Sequence, residues 1–290
     1  AEAAMQEAHP EDMADLQPYL RAAARQAALV RELAPYAAWL DARLDYFDAA
    51  RSAVALVPAP PRIWPQPRPK PPAWPPLTPA TPAPRPPVST PSRPPAKPPK
   101  QAPVPAEIER KRVETAVARP AWRKRVAAWP KPAGAAELVP SLKRAFRGAG
   151  VPEELVWIAE VESTMNPDAR SPRGALGLFQ ITSGTAKSLG LSLTPRDERR
   201  DPEKSAAAAA KYLARLYGRF GSWPLALAAY NAGEGRISGL LKKHGATDFD
   251  GIAPSLPMET RMYVPRVLET LRLREGVDPD GLAPPRDVAT

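Results

Sequence analysis

The stretch IAEVES places two glutamates, Glu160 and Glu162, two residues apart in an otherwise apolar run. A carboxylic acid that burial keeps protonated near neutral pH can serve as a general acid. Helix phase separates the pair. At about 100° per residue counted from Glu153, the residues Leu155, Ile158, Ala159 and Glu162 share an arc of roughly 100°. Glu160 falls about 160° away, on the polar side with Glu153. Glu162 is therefore expected to point into the apolar face with a raised pKa, and Glu160 to be a solvated surface charge. This geometry leaves two roles for Glu162: a proton donor, or a buried structural acid paired with an arginine such as Arg170 or Arg173.

Other chemistries are poorly supplied. The 290-residue chain has no cysteine, and its two histidines, His9 and His244, are far apart. Thiolate sites and cysteine nucleophiles are excluded, and a histidine zinc centre or a Ser-His-Asp triad is disfavoured. No metal and no cofactor is expected, which leaves carboxylates as the acid/base groups. Net charge is +10, distributed as −4 over 1–57, +7 over 58–105 and +7 over 106–290. Such a chain suits a polyanion: nucleic acid, anionic lipid or an anionic wall polymer. No GxxxxGK[ST] phosphate loop and no nucleic-acid reading motif is present, so nucleic acid is not the expected partner. No apolar run is long enough for a membrane span. The chain begins at Ala1, which suggests a trimmed precursor and an exported protein.

The elements that must position Glu162 follow from composition and punctuation. Residues 1–57 repeat apolar side chains at three- and four-residue steps, as in Leu16, Leu20, Ala23, Ala27 and Val30. They read as an amphipathic helical segment, bent or split at Pro35, that docks on the rest or self-associates. Residues 58–105 hold 22 prolines, seven Lys or Arg and no acid. They read as an extended basic linker that could touch a wall or membrane surface. Residues 106–276 form the main domain, and 277–290 read as a loose tail. Within the domain, helices are expected over 113–126 with an interruption at Pro120, over 138–148, from Val151-Pro152 through the glutamates, and from Ser183 to Gly190. Further helices follow the Asp201-Pro202 cap, run from Ser222 through Ala229, and extend from Pro257 to about Glu275. Alternating apolar and polar runs are scarce, so the fold class is all-α. After Glu162, Asn166-Pro167, Ser171-Pro172, Gly174 and Gly177 mark a compact polar loop suited to a polyhydroxylated ligand. Trp157 and Trp223 read as packing residues, Trp122 and Trp129 as surface anchors, and His244 as a loop residue.

Three separated stretches carry a family resemblance. ESTMNPDARSPRGALGLFQITSGTA, LALAAYNAGEGRI and LPMETRMYVPRVL resemble, in order, the signatures of lytic transglycosylases of the goose-type lysozyme superfamily, the SLT-domain enzymes. DERRDPEKSAAAAAKYLARLY is similar to the membrane-bound lytic murein transglycosylase D branch, without wall-binding repeats after it. The match covers roughly 138–272. It implies a lysozyme-like catalytic domain that acts on peptidoglycan glycan strands in the cell envelope, in the periplasm. It implies cleavage of the β-1,4 bond between N-acetylmuramic acid and N-acetylglucosamine without water, leaving 1,6-anhydro ends. The catalytic acid, and later base, is then Glu162. Ser171, Gln180, Tyr230, Asn231, Glu259 and Tyr263 correspond to residues of the cleft or its support. Relatives often carry QxMP where this chain has Gln180-Ile181-Thr182-Ser183, so Thr182 replaces a methionine of the cleft wall. The rival readings are hydrolysis of the lysozyme type, with Asp168 holding a water, and a wall-binding scaffold without catalysis.

Overall fold

The computed structural model describes residues 105–286, except the side chains of 105–114 and 117. It also describes Tyr19 and residues 21–30, 33–34, 36–37 and 45–46. Residues 58–104 of the expected 58–105 linker, most of 1–57 and residues 287–290 lie outside the described residues, and Pro105 already belongs to the first helix.

Nine α-helices run from residue 105 onward: α1 Pro105–Val126, α2 Ala135–Gly148, α3 Ile158–Ser163, α4 Ser183–Ser188, α5 Pro202–Phe220, α6 Trp223–Ala232, α7 Glu234–His244, α8 Phe249–Ile252 and α9 Met258–Glu275. Among the described residues there is no named strand, only isolated bridges from Leu176 to Arg170 and to Ile181. The all-α expectation holds.

The cap residues explain most boundaries. Asp201 accepts from the Glu203 and Lys204 amides and opens α5 with proline at its first position. Ser222 does the same for α6 through Leu225. Gly276, at φ 69°, closes α9 where a left-handed residue is needed. The cap of α4 is Thr182 rather than Ser183, because its hydroxyl is the one that accepts from Thr185.

Four expectations fail here. Pro120 does not interrupt α1: it is exposed, and the flanking Arg119 and Arg123 are both tied to Glu269. Trp122 is no surface anchor, since it is fully buried. Residues 234–244, whose two glycines weaken a helical reading, form α7, and His244 ends it, its Nε2 2.9 Å from the Ser255 hydroxyl. The tail is not loose through 286. Trp223 Nε1 donates to the Ala283 carbonyl at 3.0 Å, and the Arg286 amide donates to Gly150 at 2.8 Å.

Helix α9 is the central element. It packs against α1, α3 and α6, while α5 is flanked by α2 and α6. Every residue from Thr260 to Leu271 is buried, so its charged members need partners in the interior. Glu269 is the clearest case. Its oxygens accept from Arg119 Nε at 3.2 Å and Arg123 Nε at 2.9 Å, and Arg272 lies 3.5 Å away. One buried carboxylate thus joins α1 to α9. Removing it strips Arg123 of its carboxylate partner, while Arg119 keeps Asp280 and Arg272 keeps Asp278. Glu269→Ala is expected to cost about 1.5–3 kcal/mol of unfolding free energy, the scale of hydrogen bonds to a charged group, read from the midpoint of equilibrium urea denaturation.

Candidate active site around Glu162

A 3-10 helix at Glu153–Trp157 leads directly into α3. All six residues of α3 are buried, Glu160 and Glu162 each to 3% exposure. The inward position of Glu162 agrees with its helix phase, but the solvated Glu160 does not survive. Two physical reasons account for this. A 3-10 helix turns about 120° per residue, so five such residues shift the wheel by roughly 100°. In addition, α3 is enclosed on every side and has no solvent face.

Glu160 is instead half of a buried ion pair. Arg274 Nε donates to its Oε2 at 2.8 Å and Nη2 to its Oε1 at 2.6 Å. Arg274 also donates to the Trp129 and Pro130 carbonyls at 3.4 and 2.8 Å. Nearby, Glu275 bonds the Trp157 indole and Lys143. The end of α9 therefore clamps both the 3-10 turn and α3. Ser163, which the sequence reading left without a role, holds the other end. Its hydroxyl is within 3.0 Å of the Ala159 carbonyl and 2.9 Å of Leu178 O, and it accepts from the Asn166 amide. Thr164 and Met165 then take left-handed conformations, φ 54° and 60°, and end the helix.

The loop that follows is organised through its backbone. Asn166 Oδ1 accepts from the Asp168 amide. Ser171 Oγ accepts from the Ala175 amide at 3.0 Å, which leaves its own proton as a donor. Gln180 Nε2 donates to the carbonyls of Ala169 and Gly177 at 3.0 and 2.9 Å. These two acceptors fix the amide orientation and leave Oε1 buried without a partner. Arg199 also escaped the sequence reading. It is buried, pairs with Asp197 through two nitrogens, and donates to the Gly174 and Ile181 carbonyls at 2.8 and 3.1 Å. That guanidinium holds the Asp197 carboxyl below the usual carboxylate range. Gly177, at φ 84°, passes so close to this region that a Cβ would stand 2.0 Å from the Arg199 carbonyl oxygen.

Tyr230 and Tyr263 both feel the charge of Glu162. Burial first, and the Glu162 charge second, push both phenols well above their ordinary value. Tyr230 donates to the Phe179 carbonyl at 2.7 Å and stacks its ring 5.4 Å from Tyr212. Tyr263 is 1% exposed. Its hydroxyl makes no well-formed hydrogen bond, only a looser polar contact toward Glu162. Asn231 accepts from the Thr260 hydroxyl at 2.8 Å, which ties the end of α6 to the start of α9. Glu259, half-buried, occupies the first turn of α9, where an acid suits the helix dipole. Asp168 is exposed and paired with Arg200.

Two substitutions test this construction. Glu160→Ala is expected to lose about 3–5 kcal/mol, because Arg274 is left buried without its counter-charge. Adding Arg274→Met should recover part of that loss in the same denaturation assay. Gly177→Ala should cost at least about 1–2 kcal/mol from the left-handed backbone alone, and more from the clash with Arg199.

Comparison with known proteins agrees with the helical site. Residues 141–252 match the family model described as Transglycosylase SLT domain. The chain is 42% identical over 124 residues to the membrane-bound lytic murein transglycosylase D of Escherichia coli K12, covering 41% of this chain and 27% of that protein. It is 38% identical over 143 residues to the peptidoglycan transglycosylase gp16 of Escherichia phage T7, covering 45% of this chain and 10% of that protein. The solved 70 kDa soluble lytic transglycosylase of Escherichia coli is similar at a TM-score of 0.44 and 24% identity, covering 65% of this chain and 39% of that one. The chain thus spans well under a third of the curated relatives named here. The segment that matches this family model, residues 141–252, holds Glu162 in its buried helix.

Proposed function

We propose that this chain is a peptidoglycan lytic transglycosylase, with Glu162 as acid and then base. The observation that carries the reading is a carboxyl group buried to 3% exposure at the end of α3, beside the protonated phenols of Tyr230 and Tyr263. Glu162 gives its proton to the glycosidic oxygen as the bond from the muramic C1 breaks, so the N-acetylglucosamine leaves as an alcohol. The same carboxylate then takes the proton from the muramic 6-hydroxyl as that oxygen bonds to C1. The ring closes as a 1,6-anhydro sugar, no water is consumed and Glu162 is protonated again.

Other groups support this pathway. The partnerless Gln180 Oε1 can accept from a sugar hydroxyl or acetamido N–H. The Ser171 hydroxyl keeps a proton to donate. Asn231 and Glu259 stand where α6 and α9 meet. Hydrolysis needs a second acid to hold water opposite the first. Of the other acids, Asp168 is exposed and tied to Arg200, Glu160 has both oxygens on Arg274, and Glu259 sits half-buried in the first turn of α9, where the helix dipole favours its charge. The lyase reading is favoured over the hydrolytic one on that ground. No helix among the described residues is long and apolar enough to cross a membrane. Action in the periplasm, with the basic stretch 58–105 near the anionic wall, fits the substrate.

Purified peptidoglycan digested by the chain is expected to release muropeptides lighter by one water than hydrolytic products, read by mass spectrometry. Reducing ends would support the muramidase reading, and no cleavage would support a wall-binding scaffold. Glu162→Gln should lower release by at least about 100-fold with the unfolding midpoint preserved. Glu160→Gln should keep its activity per folded molecule while lowering the midpoint.

A further inference from the structure

The described residues between 19 and 46 group with those of 105–286 in one compact unit. The described residues of the N-terminal segment show how. Tyr46 is 1% exposed and among the largest fully buried side chains. Its ring meets Trp122 of α1 edge-on, with centroids 5.8 Å apart. The Arg266 guanidinium of α9 lies 4.9 Å from the Tyr46 ring, 5.4 Å from Trp122 and 4.9 Å from Trp129. Beside the ring, Asp45 accepts from Arg125 Nη2 at 2.7 Å. Ala24 joins the same apolar core.

We infer that the segment holding Asp45 and Tyr46 is a built-in part of the catalytic body, docked on α1 and α9, so that the Pro-rich stretch connects two parts of one folded unit. A guanidinium as buried as Arg266, at 2% exposure, gains stabilisation from aromatic faces that replace its lost water. Tyr46 supplies one of three such faces, so removing the segment would open Arg266 and Trp122 together. The contact also reaches toward the site. A cavity of about 370 Å³ is lined by Asp45 together with Trp129, Glu160, Thr164 and Arg266. Arg266 sits three residues after Tyr263, one turn along α9. A spacer between separate modules would need no such burial.

The inference stands apart from the proposed reaction, and its test reads association only. A site-specific protease sequence is inserted near residue 80 of the full chain and cut after folding. The two pieces should co-elute in gel filtration at micromolar concentration, although cutting removes the roughly millimolar effective concentration of the tether. Tyr46→Ala should weaken that association at least about 100-fold, so that the pieces separate. If the alanine variant fails to fold, Tyr46→Leu keeps volume, removes the ring over Arg266, and should give the same separation. Wild-type pieces that elute separately would overturn the inference. Pieces that stay together in both Tyr46 variants would overturn the assignment of the docking contact to this ring.

Discussion

Helix α3 is six residues long, and a helix of that length has no stability of its own in water. It nevertheless carries the carboxyl group on which the site depends, and it carries a second carboxylate one turn face away. Its orientation must come from outside. Arg274 grips Glu160 through both oxygens, and Ser163 fastens the far end to Leu178 and Asn166. These contacts fix both the axial position and the rotation of α3. Glu162 is placed because its neighbours on either side cannot move.

The same logic explains why α9 is buried along most of its length and yet rich in charge. It contributes Tyr263 beside Glu162, Arg274 to α3, Glu269 to α1 and Arg266 to an aromatic enclosure. Interior apolar side chains would pack at least as favourably, since a buried ion pair seldom exceeds its desolvation cost by much. What the charges add is register. A guanidinium bonded to both oxygens of one carboxylate tolerates little sliding, and sliding of α9 would carry Tyr263 away from Glu162.

Much of this was legible in the sequence, for local reasons. Asp201, Ser222 and Gly276 mark helix ends because the groups they satisfy lie within three or four residues. Glu162 was correctly read as inward, although the wheel that placed it assumed one continuous α-helix. The true path has a 3-10 turn first, and the error appeared at Glu160. Its partner Arg274 is 114 residues away, beyond any periodicity argument. Ser163 and the far side of Arg199 were missed for a similar reason: those bonds go to backbone carbonyls, which every residue type presents alike. Trp122 looked like a surface anchor because its neighbours are basic, whereas the ring itself turns into the core.

Two acids so close in sequence end up with different chemistry because their partners differ in kind. Glu160, buried with both oxygens accepting from one guanidinium, is committed to a structural ion pair. Glu162 faces phenols instead. Burial keeps Tyr230 and Tyr263 protonated, and the nearby Glu162 charge reinforces this, so they can donate hydrogen bonds but cannot neutralise a charge. Tyr230 already spends its proton on Phe179, which leaves Tyr263 as the donor turned toward the acid. The acid-then-base role proposed for Glu162 needs a carboxyl group that passes from neutral to charged and back while its surroundings stay fixed. The ion pair on Glu160 and the phenols around Glu162 are two consequences of one enclosure, and the division of roles between the glutamates follows from which side of α3 each faces.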